Sequence, residues 1–400
     1  MSALGRVPAM TFPRRWRARL GEAPSKVWAR LQACVAGHCR GVAMGLVLAT
    51  LAGIGLSLYL WAGQRFAPPP VSFMSGGWPL AAQLPMALAF SVVGAVLASR
   101  QARNPIGWLF LAIGVTSSFV PAVHNMVAAA GNSFVSPGPL TVALAWLVSS
   151  FHLPLVGALL IVVFLVFPDG RVLSGRWWNG AVLAVGGALL VGIGLAIDPR
   201  GLLWYPLLPN PFAGPAWIGP ASDILQLGGL ASVLVGLAIA SVAMVLRYRA
   251  YTPAERRPLK WIAVAIVLLV VSGSALMVVR YGLPVSPAVG EVVLTATILV
   301  AMLLPIAAGI GILRHRLFDI ELILNHALVY VPLSALMTGI YTASVALFQR
   351  LFVAVTGETS DVAIILTTLI LATTFTPMRK ALEGFVDRHF KPLSKAPAGA

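Results

Sequence analysis

Two histidines, His124 and His152, lie well inside long uncharged stretches of the sequence, and Asn125 follows the first of them. An imidazole in such a stretch can line a water-filled cavity, bind a polar ligand, sense external pH by gaining a proton, or satisfy a hydrogen bond between helices. The two histidines differ in depth by on the order of 10 Å at 1.5 Å per residue, so we expect no shared metal or haem. His124, Asn125 and His152 are therefore candidate residues of a polar, sensing site.

Three further ligand-type side chains lie within six residues, in Cys34-x-x-x-His38-Cys39. Such a group could hold zinc or respond to oxidation. No fourth ligand is evident, and two cysteines are too few for a disulfide framework. The nucleophile elbow, the zinc helix and the phosphate-binding loop are missing from the sequence. We therefore predict no metal, no cofactor, no catalytic residue and no enzyme activity.

The composition is that of an integral membrane protein. Hydrophobic residues make up 59% of the 400 residues, charged residues only 10%, and the mean hydropathy is +0.91. Soluble domains are about half apolar and about one quarter charged, so this chain lacks the charge to cover a surface that faces water.

The uncharged intervals define the membrane spans, because a helix needs roughly 20 apolar residues to cross the hydrocarbon layer. They predict an all-α, polytopic bundle of about ten transmembrane helices, at 41–63, 80–99, 105–129, 140–166, 178–197, 224–246, 261–279, 290–313, 327–348 and 362–378. The interval 201–222 is predicted to hold no helix, because five prolines interrupt it.

The positions of the basic residues predict the orientation. With the N-terminus in the cytosol, 24 of the 28 lysines and arginines fall on the inner side, as the positive-inside rule requires. The chain then divides into a basic cytoplasmic arm (1–40), a ten-helix transmembrane domain (41–378) and a short cytoplasmic amphipathic tail (379–400), with both ends inside. This distribution accounts for the net charge of +16 through an anionic inner leaflet, without nucleic acid.

Several short segments predict local structure. Asn104-Pro105 is typical of a helix start, and Phe167-Pro-Asp-Gly-Arg171 is typical of a tight turn. Pro154 predicts a kink within its span. Gly41-x-x-x-Gly45 and Gly186-Gly187 would allow close helix contacts within the chain or, less often, in a homodimer.

The predicted spans lack the buried carboxylate that is typical of an ion-coupled transporter. The carboxylates nearest to them, Glu291 and Asp361, are predicted at helix starts, whereas coupled carriers place a carboxylate near the midplane. The sequence shows no internal repeat of the kind that inverted-repeat transporters carry.

Five strings occur in a fixed order along the chain. They are Asn104-Pro-Ile-Gly-Trp-Leu-Phe110; Phe167-Pro-Asp-Gly-Arg171 followed by Trp177; Arg247-Tyr-Arg249 with Glu255-Arg-Arg-Pro-Leu-Lys-Trp261; Leu313-Arg-His-Arg-Leu-Phe-Asp-Ile-Glu-Leu-Ile-Leu-Asn-His-Ala-Leu-Val-Tyr330; and Phe385-Val-Asp-Arg-His-Phe390. In this order they resemble the membrane-embedded N-terminal input region of actinobacterial-type sensor histidine kinases, over 104–390.

The resemblance implies a sensory half of a kinase in the inner membrane of a bacterium. In such kinases a phosphoacceptor helix and an ATP-binding domain follow, whereas this sequence ends ten residues after Phe390, so we expect no autokinase activity. The implied function is to pass an outer-face or bilayer stimulus to a separate histidine kinase or regulator. The candidate transmission residues are Asp319, Glu321, Asp387 and Arg388, on segments predicted to lie along the inner leaflet.

Two other interpretations remain open from the sequence. Ten helices with internal prolines would also suit a transporter or a lipid-handling protein. The chain could equally be a truncated receptor that has lost its output. The outward segments, 64–79 and 198–223, are where we expect a stimulus to be read, together with His124 and His152.

Overall fold

The computed structural model describes residues 39–62, 78–132, 137–205, 208–250, 253–281 and 287–308. These segments contain eight long helices, which we number in chain order: α1 Cys39–Ala62, α2 Trp78–Arg100, α3 Pro105–Asn132, α4 Pro139–Val166, α5 Trp178–Ile197, α6 Gly219–Ala250, α7 Pro253–Tyr281 and α8 Pro287–Ala301. Within these segments no strand occurs, so the all-α class is confirmed for the part of the chain described.

Seven helices of the described part are long and apolar enough to cross a membrane: α1 to α6 and the segment Val289–Ala308 that contains most of α8. In α7 the apolar stretch is shorter, Ile262–Leu276. Large apolar side chains on α1, α5 and α6 point away from the protein, as at Leu48, Leu189 and Leu234. A face of this kind is stable only against lipid or another protein, so the protein is a multi-pass helical membrane protein.

The first eight predicted spans each coincide with a described helix, whereas the last two, 327–348 and 362–378, lie outside the described residues. One boundary prediction was wrong. The interval 201–222 was expected to hold no helix, yet α6 begins at Gly219. Pro220 occupies its first turn, where the missing N–H of proline would have had no helical partner.

The helix connections fall at two ends of the bundle. At one end, which we call the junction end, α1 begins with Ala43 packed against Ala98 and Leu111, and the α2–α3 and α4–α5 turns lie close together. At the other, the loop end, the 198–218 connection covers the start of α6. There Ser222 Oγ donates a hydrogen bond of 2.9 Å to Gly194 O. Consecutive helices α1 to α6 therefore run up and down.

Glycines bring α5 and α6 into backbone contact. A Cβ atom added at Gly187 would lie 2.5 Å from Gly229 O, and one added at Gly229 would lie 2.5 Å from Gly187 O. One step along, a Cβ at Gly236 would lie 2.8 Å from Gly180 O. The small residues recur every seven positions on both helices, which is the period of a left-handed helix pair.

The glycine predictions are confirmed for one position and not for others. Gly187 lies at the α5–α6 contact, but Gly186 beside it has no neighbour within 4 Å. Gly41 and Gly45 also have nothing within 4 Å, so the Gly41-x-x-x-Gly45 pair makes no close contact in the described part. The difference follows from geometry, since residues one position apart face directions about 100° apart on a helix.

Candidate functional site

The junction end is organised by the first residues of α3. Asn104 is buried, and its Oδ1 accepts a hydrogen bond of 3.0 Å from Ile106 N, which confirms the predicted N-cap. Trp108 Nε1 donates to Ala102 O at 2.9 Å. These bonds fix the angle at which α3 leaves the short α2–α3 turn.

The Phe167–Arg171 turn closes the end of α4 and lies against that cap. Phe167 N and Gly170 N donate to the last carbonyls of α4 at 2.9 Å and 2.8 Å, which confirms the predicted tight turn. Gly170 has φ +73°, where a side chain is strained, and a Cβ there would lie 2.6 Å from Asn104 Oδ1. Two independent constraints, the positive φ and the close approach of Asn104, therefore require glycine at position 170.

Arg247, near the end of α6, completes the junction. Only 2% of the residue is exposed, and its guanidinium donates hydrogen bonds to the carbonyl oxygens of Phe167 and Arg171. A charged donor strengthens hydrogen bonds to carbonyls in a buried place. We call Asn104, Phe167–Arg171 and Arg247 together the junction cluster; it joins α3, α4 and α6.

Near its middle, α4 departs from α-helical geometry. Residues Val148–His152 form a π-helical turn, which we call the π-turn and which ends two residues before Pro154. Proline cannot donate the hydrogen bond of its helical turn, so the backbone relaxes locally. His152, at the end of this turn, lies 3.2 Å from Gln83 of α2, measured from Nε2 to Nε2. Isolated π-turns within helices are frequent at functional sites.

The 198–218 connection inserts into the bundle beside His124. Tyr205 is 3% exposed and His124 is 5% exposed, with ring centroids 5.9 Å apart. The preceding residue, Trp204, donates its N–H to Ser149 Oγ of the π-turn at 3.1 Å. These contacts join α2, α3, the π-turn and the connection in one polar site. We call it the outer polar site, because the positions of the basic residues predict that this end of the bundle faces outward. The sequence suggested both the histidines and this connection. The structure places His124 against Tyr205 of the connection, and His152 on the same π-turn as Ser149, which Trp204 contacts.

Four buried polar atoms of this site have no hydrogen-bond partner: Gln83 Oε1, His124 Nδ1, Ser150 Oγ and Tyr205 Oη. Sequence reasoning missed three of these residues, and the signal for Ser150 was its position just before a helix-internal proline. Burial raises the pKa of the Tyr205 hydroxyl, so this group keeps its proton and remains a donor.

Asn125 does not join the outer polar site. Its Nδ2 donates to Ser57 O of α1 at 3.0 Å, so it ties α3 to α1. His152 takes the interhelical hydrogen bond that was one of the sequence alternatives, whereas His124 Nδ1 takes none. The described residues contain no group of three or more His, Cys, Asp or Glu that could hold a metal.

Several predicted site residues lie outside the described residues: Cys34, His38, Asp319, Glu321, Asp387 and Arg388. Glu291 is described, and its prediction needs correction. The sequence placed it at a helix start, but α8 begins four residues earlier at Pro287, and Glu291 is completely buried. An N-terminal proline extended the helix beyond the charge boundary that the sequence suggested.

Asp198 holds the 198–218 connection over the outer polar site. Its carboxylate accepts hydrogen bonds of 2.9 Å and 2.8 Å from Arg200 N and Nε, and Gln226 of α6 donates to it at 3.3 Å. Partial burial opposes ionisation, but the hydrogen bonds from Arg200 outweigh it, so the pKa of Asp198 lies below its ordinary value. Arg200 also pairs with Asp223 at 2.5 Å, in an exposed position where such pairs contribute little.

We expect the connection to stay ordered as the pH falls from neutrality to about 4 and to loosen only below that. A depressed pKa contributes stability above the unfolded value of about 3.9, and this contribution is lost as the pH falls through the folded value. Hydrogen exchange of the 198–214 backbone, corrected for its intrinsic pH dependence, measures this. Asp198→Asn should loosen the connection at pH 7. Asp223→Asn, the half-exposed control, should do so less, and equal effects would contradict the role of Asp198.

No protein-family model matches the chain, and no curated protein or solved structure is similar to it at a significant level. What the fold and the site define is therefore a class: a multi-pass α-helical membrane protein, with a buried polar site under one connection and an arginine-centred junction at the opposite end.

Proposed function

We propose that this protein is a non-catalytic receptor component of a bacterial inner membrane. It couples a stimulus at its outer face or in the bilayer to a cytosolic partner, as the input half of a sensor histidine kinase would. In this proposal the chain has ten spans with both termini in the cytosol, so the junction end faces the cytosol and the outer polar site faces outward. The partner is a separate histidine kinase or regulator, and a homodimer is compatible with it.

The observation that carries the proposal is that one helix belongs to both sites. His152 on the π-turn of α4 contacts Gln83, and fifteen residues later Phe167 begins the turn that Arg247 binds. At 1.5 Å per residue this spans about 22 Å. A packed helix can transmit a shift at its middle to its end, because cores rearrange between discrete states rather than deform gradually.

The junction cluster adds support from the sequence resemblance. Three of the strings that carry it begin at Asn104, Phe167 and Arg247, and these residues meet at the junction end. Strings that are 80 residues apart in sequence therefore contribute to one place, at the end of the bundle where a cytosolic partner would bind.

Transmembrane coupling predicts that a change at the outer polar site alters accessibility at the junction. In a protein with Cys34 and Cys39 replaced by serine, a cysteine at exposed Gly175 would report on the junction. We expect Tyr205→Ala to change its maleimide labelling rate on the order of fivefold, the low end of measured coupling energies.

Tyr59→Ala is the matched control for this experiment, because Tyr59 lies at the same end of the bundle but is 77% exposed on α1. It should leave the labelling rate unchanged. Equal labelling in all three proteins would contradict coupling. Affinity purification from membranes of the source cell should recover a kinase or response regulator, and recovery of neither under several conditions would count against the proposed partner.

A transporter or lipid-handling protein is the second candidate, favoured by the unpartnered polar atoms in the outer half of the bundle. Uptake of a solute by proteoliposomes, or lipid transfer between leaflets, would support it. The two functions separate clearly, because a receptor component changes its junction without net movement of a substrate.

A further inference from the structure

We propose that the outer polar site binds an uncharged, hydroxyl-rich group of the sugar or polyol type. The unpartnered atoms Gln83 Oε1, His124 Nδ1, Ser150 Oγ and Tyr205 Oη supply its hydrogen bonds. The inference deepens the proposed function by naming the class of stimulus, and it rests on that function only for the consequence of binding.

The first step is that the side chains carrying these atoms lie on elements that contact one another. Gln83 contacts His152, which closes the π-turn that also contains Ser150. Ser149, which precedes Ser150, accepts a hydrogen bond from the N–H of Trp204. Tyr205 lies against the ring of His124. Four elements that are far apart in sequence therefore meet around a single region.

The second step is energetic. A buried polar atom without a hydrogen bond costs about 1–3 kcal/mol, and the residues carrying these atoms are between 1% and 5% exposed. Replacing any of them by an apolar residue would remove that cost. A site that binds a polar partner explains why four such groups occur on elements that contact one another, since each group then gains a hydrogen bond.

The third step is the chemistry of the partner. Gln83 Oε1 can only accept, whereas the hydroxyls of Ser150 and Tyr205 can donate or accept, and His124 Nδ1 does one or the other according to its tautomer. The described contacts of these side chains are Gln83 with the imidazole of His152 and His124 with the ring of Tyr205, and neither contact is with a carboxylate, a lysine or an arginine. A buried ion needs a charged or strongly polar counterpart, so a neutral group with several hydroxyls fits best.

The hydroxyls could come from a free sugar or from the uncharged headgroup of a glycolipid. Methyl β-glucoside is the soluble probe, and vesicles of phosphatidylcholine with or without monoglucosyl diacylglycerol present the lipid. We expect the thermal unfolding midpoint of the full chain to rise by about 2 °C or more at tenfold excess over Kd with one of these two sources. The probe that gives the rise shows whether the hydroxyls come from a soluble sugar or from a lipid headgroup.

Tyr205→Phe should abolish the rise while the protein remains folded, because it removes one hydroxyl and keeps the ring. Tyr59→Phe, on an exposed tyrosine, should retain it. If neither probe raises the midpoint of the parent, or if the rise survives in Tyr205→Phe, the proposal is overturned. If Tyr205→Phe is more stable than the parent and the parent responds to neither probe, the four polar groups are buried without binding a ligand. Binding can fail while coupling between the two ends stands, and the reverse also holds.

Discussion

Gly187→Ala is expected to destabilise the protein by about 1–3 kcal/mol, the cost of overpacking a tight contact. The added Cβ would lie 2.5 Å from Gly229 O and 2.9 Å from Val233 N, which are backbone atoms of α6. Backbone cannot rotate away as a flexible side chain can, so α5 and α6 must move apart. The thermal unfolding midpoint in detergent micelles, followed by loss of the monodisperse chromatographic peak, measures the effect.

Gly186→Ala is the matched control, and it should stabilise the protein where Gly187→Ala destabilises it. Nothing lies within 4 Å of a Cβ at Gly186, and alanine favours a helix over glycine by up to about 1 kcal/mol. The pair Gly229→Ala and Gly228→Ala repeats the comparison from α6, because Gly228 also has no neighbour within 4 Å. Similar midpoints for Gly186→Ala and Gly187→Ala would contradict the observed helix contact.

Arg247→Met is expected to destabilise the protein by about 2–5 kcal/mol. The change keeps a long apolar stem but removes the donors to the carbonyl oxygens of Phe167 and Arg171. The buried carbonyl of Phe167, left without a partner, costs about 1–3 kcal/mol, and the partly buried carbonyl of Arg171 costs less. The labelling reporter at Gly175 should also become more reactive, because the turn loses its attachment to α6.

Arg249→Met separates this effect from a general loss of positive charge at the membrane surface. Arg249 lies two residues further along α6 and is exposed. Its substitution should change the unfolding midpoint little, as is usual for surface positions. The loss of stability in Arg247→Lys should lie between those of Arg247→Met and Arg249→Met, because an ammonium group keeps the charge but cannot donate in the planar two-pronged geometry of a guanidinium. Equal losses for Arg247→Met and Arg249→Met would rule out a special role for the junction cluster.

Local chemistry in the sequence predicted the elements of the junction cluster but not their meeting. The cap at Asn104 and the turn at Phe167–Arg171 follow from residue types within a few positions, and both are confirmed. Arg247 was counted as one of the basic residues that orient the spans and as the first residue of a resemblance string, and neither observation indicated its partners. Its partners are 76 and 80 residues away in sequence, and no local pattern encodes such a pairing.

The outer polar site was predictable in part for the same reason. His124 and His152 stand out because charged or ionisable side chains are rare in apolar spans. Tyr205 lies in a proline-rich segment without helical periodicity, so nothing in the sequence indicates that its ring enters the bundle. For the α5–α6 contact a signal was present in the seven-residue spacing of Gly180, Gly187 and Gly194, whereas the glycine patterns that carried the prediction were an adjacent pair and a four-residue spacing.

The regular spacing of small residues on α5 and α6 leaves their vertical alignment ambiguous. Sliding one helix past the other by seven residues, about 10.5 Å, would again set glycine against glycine over much of the pair. Other contacts must therefore specify the native alignment. Two hydrogen bonds do this where the 198–218 segment joins the two helices: Gln226 donates to Asp198 at 3.3 Å, and Ser222 donates to Gly194 O. That segment works as a spacer of fixed length. A change in its length would be tolerated by the helices themselves, but would select a different alignment of the pair and carry Arg247 out of reach of α4.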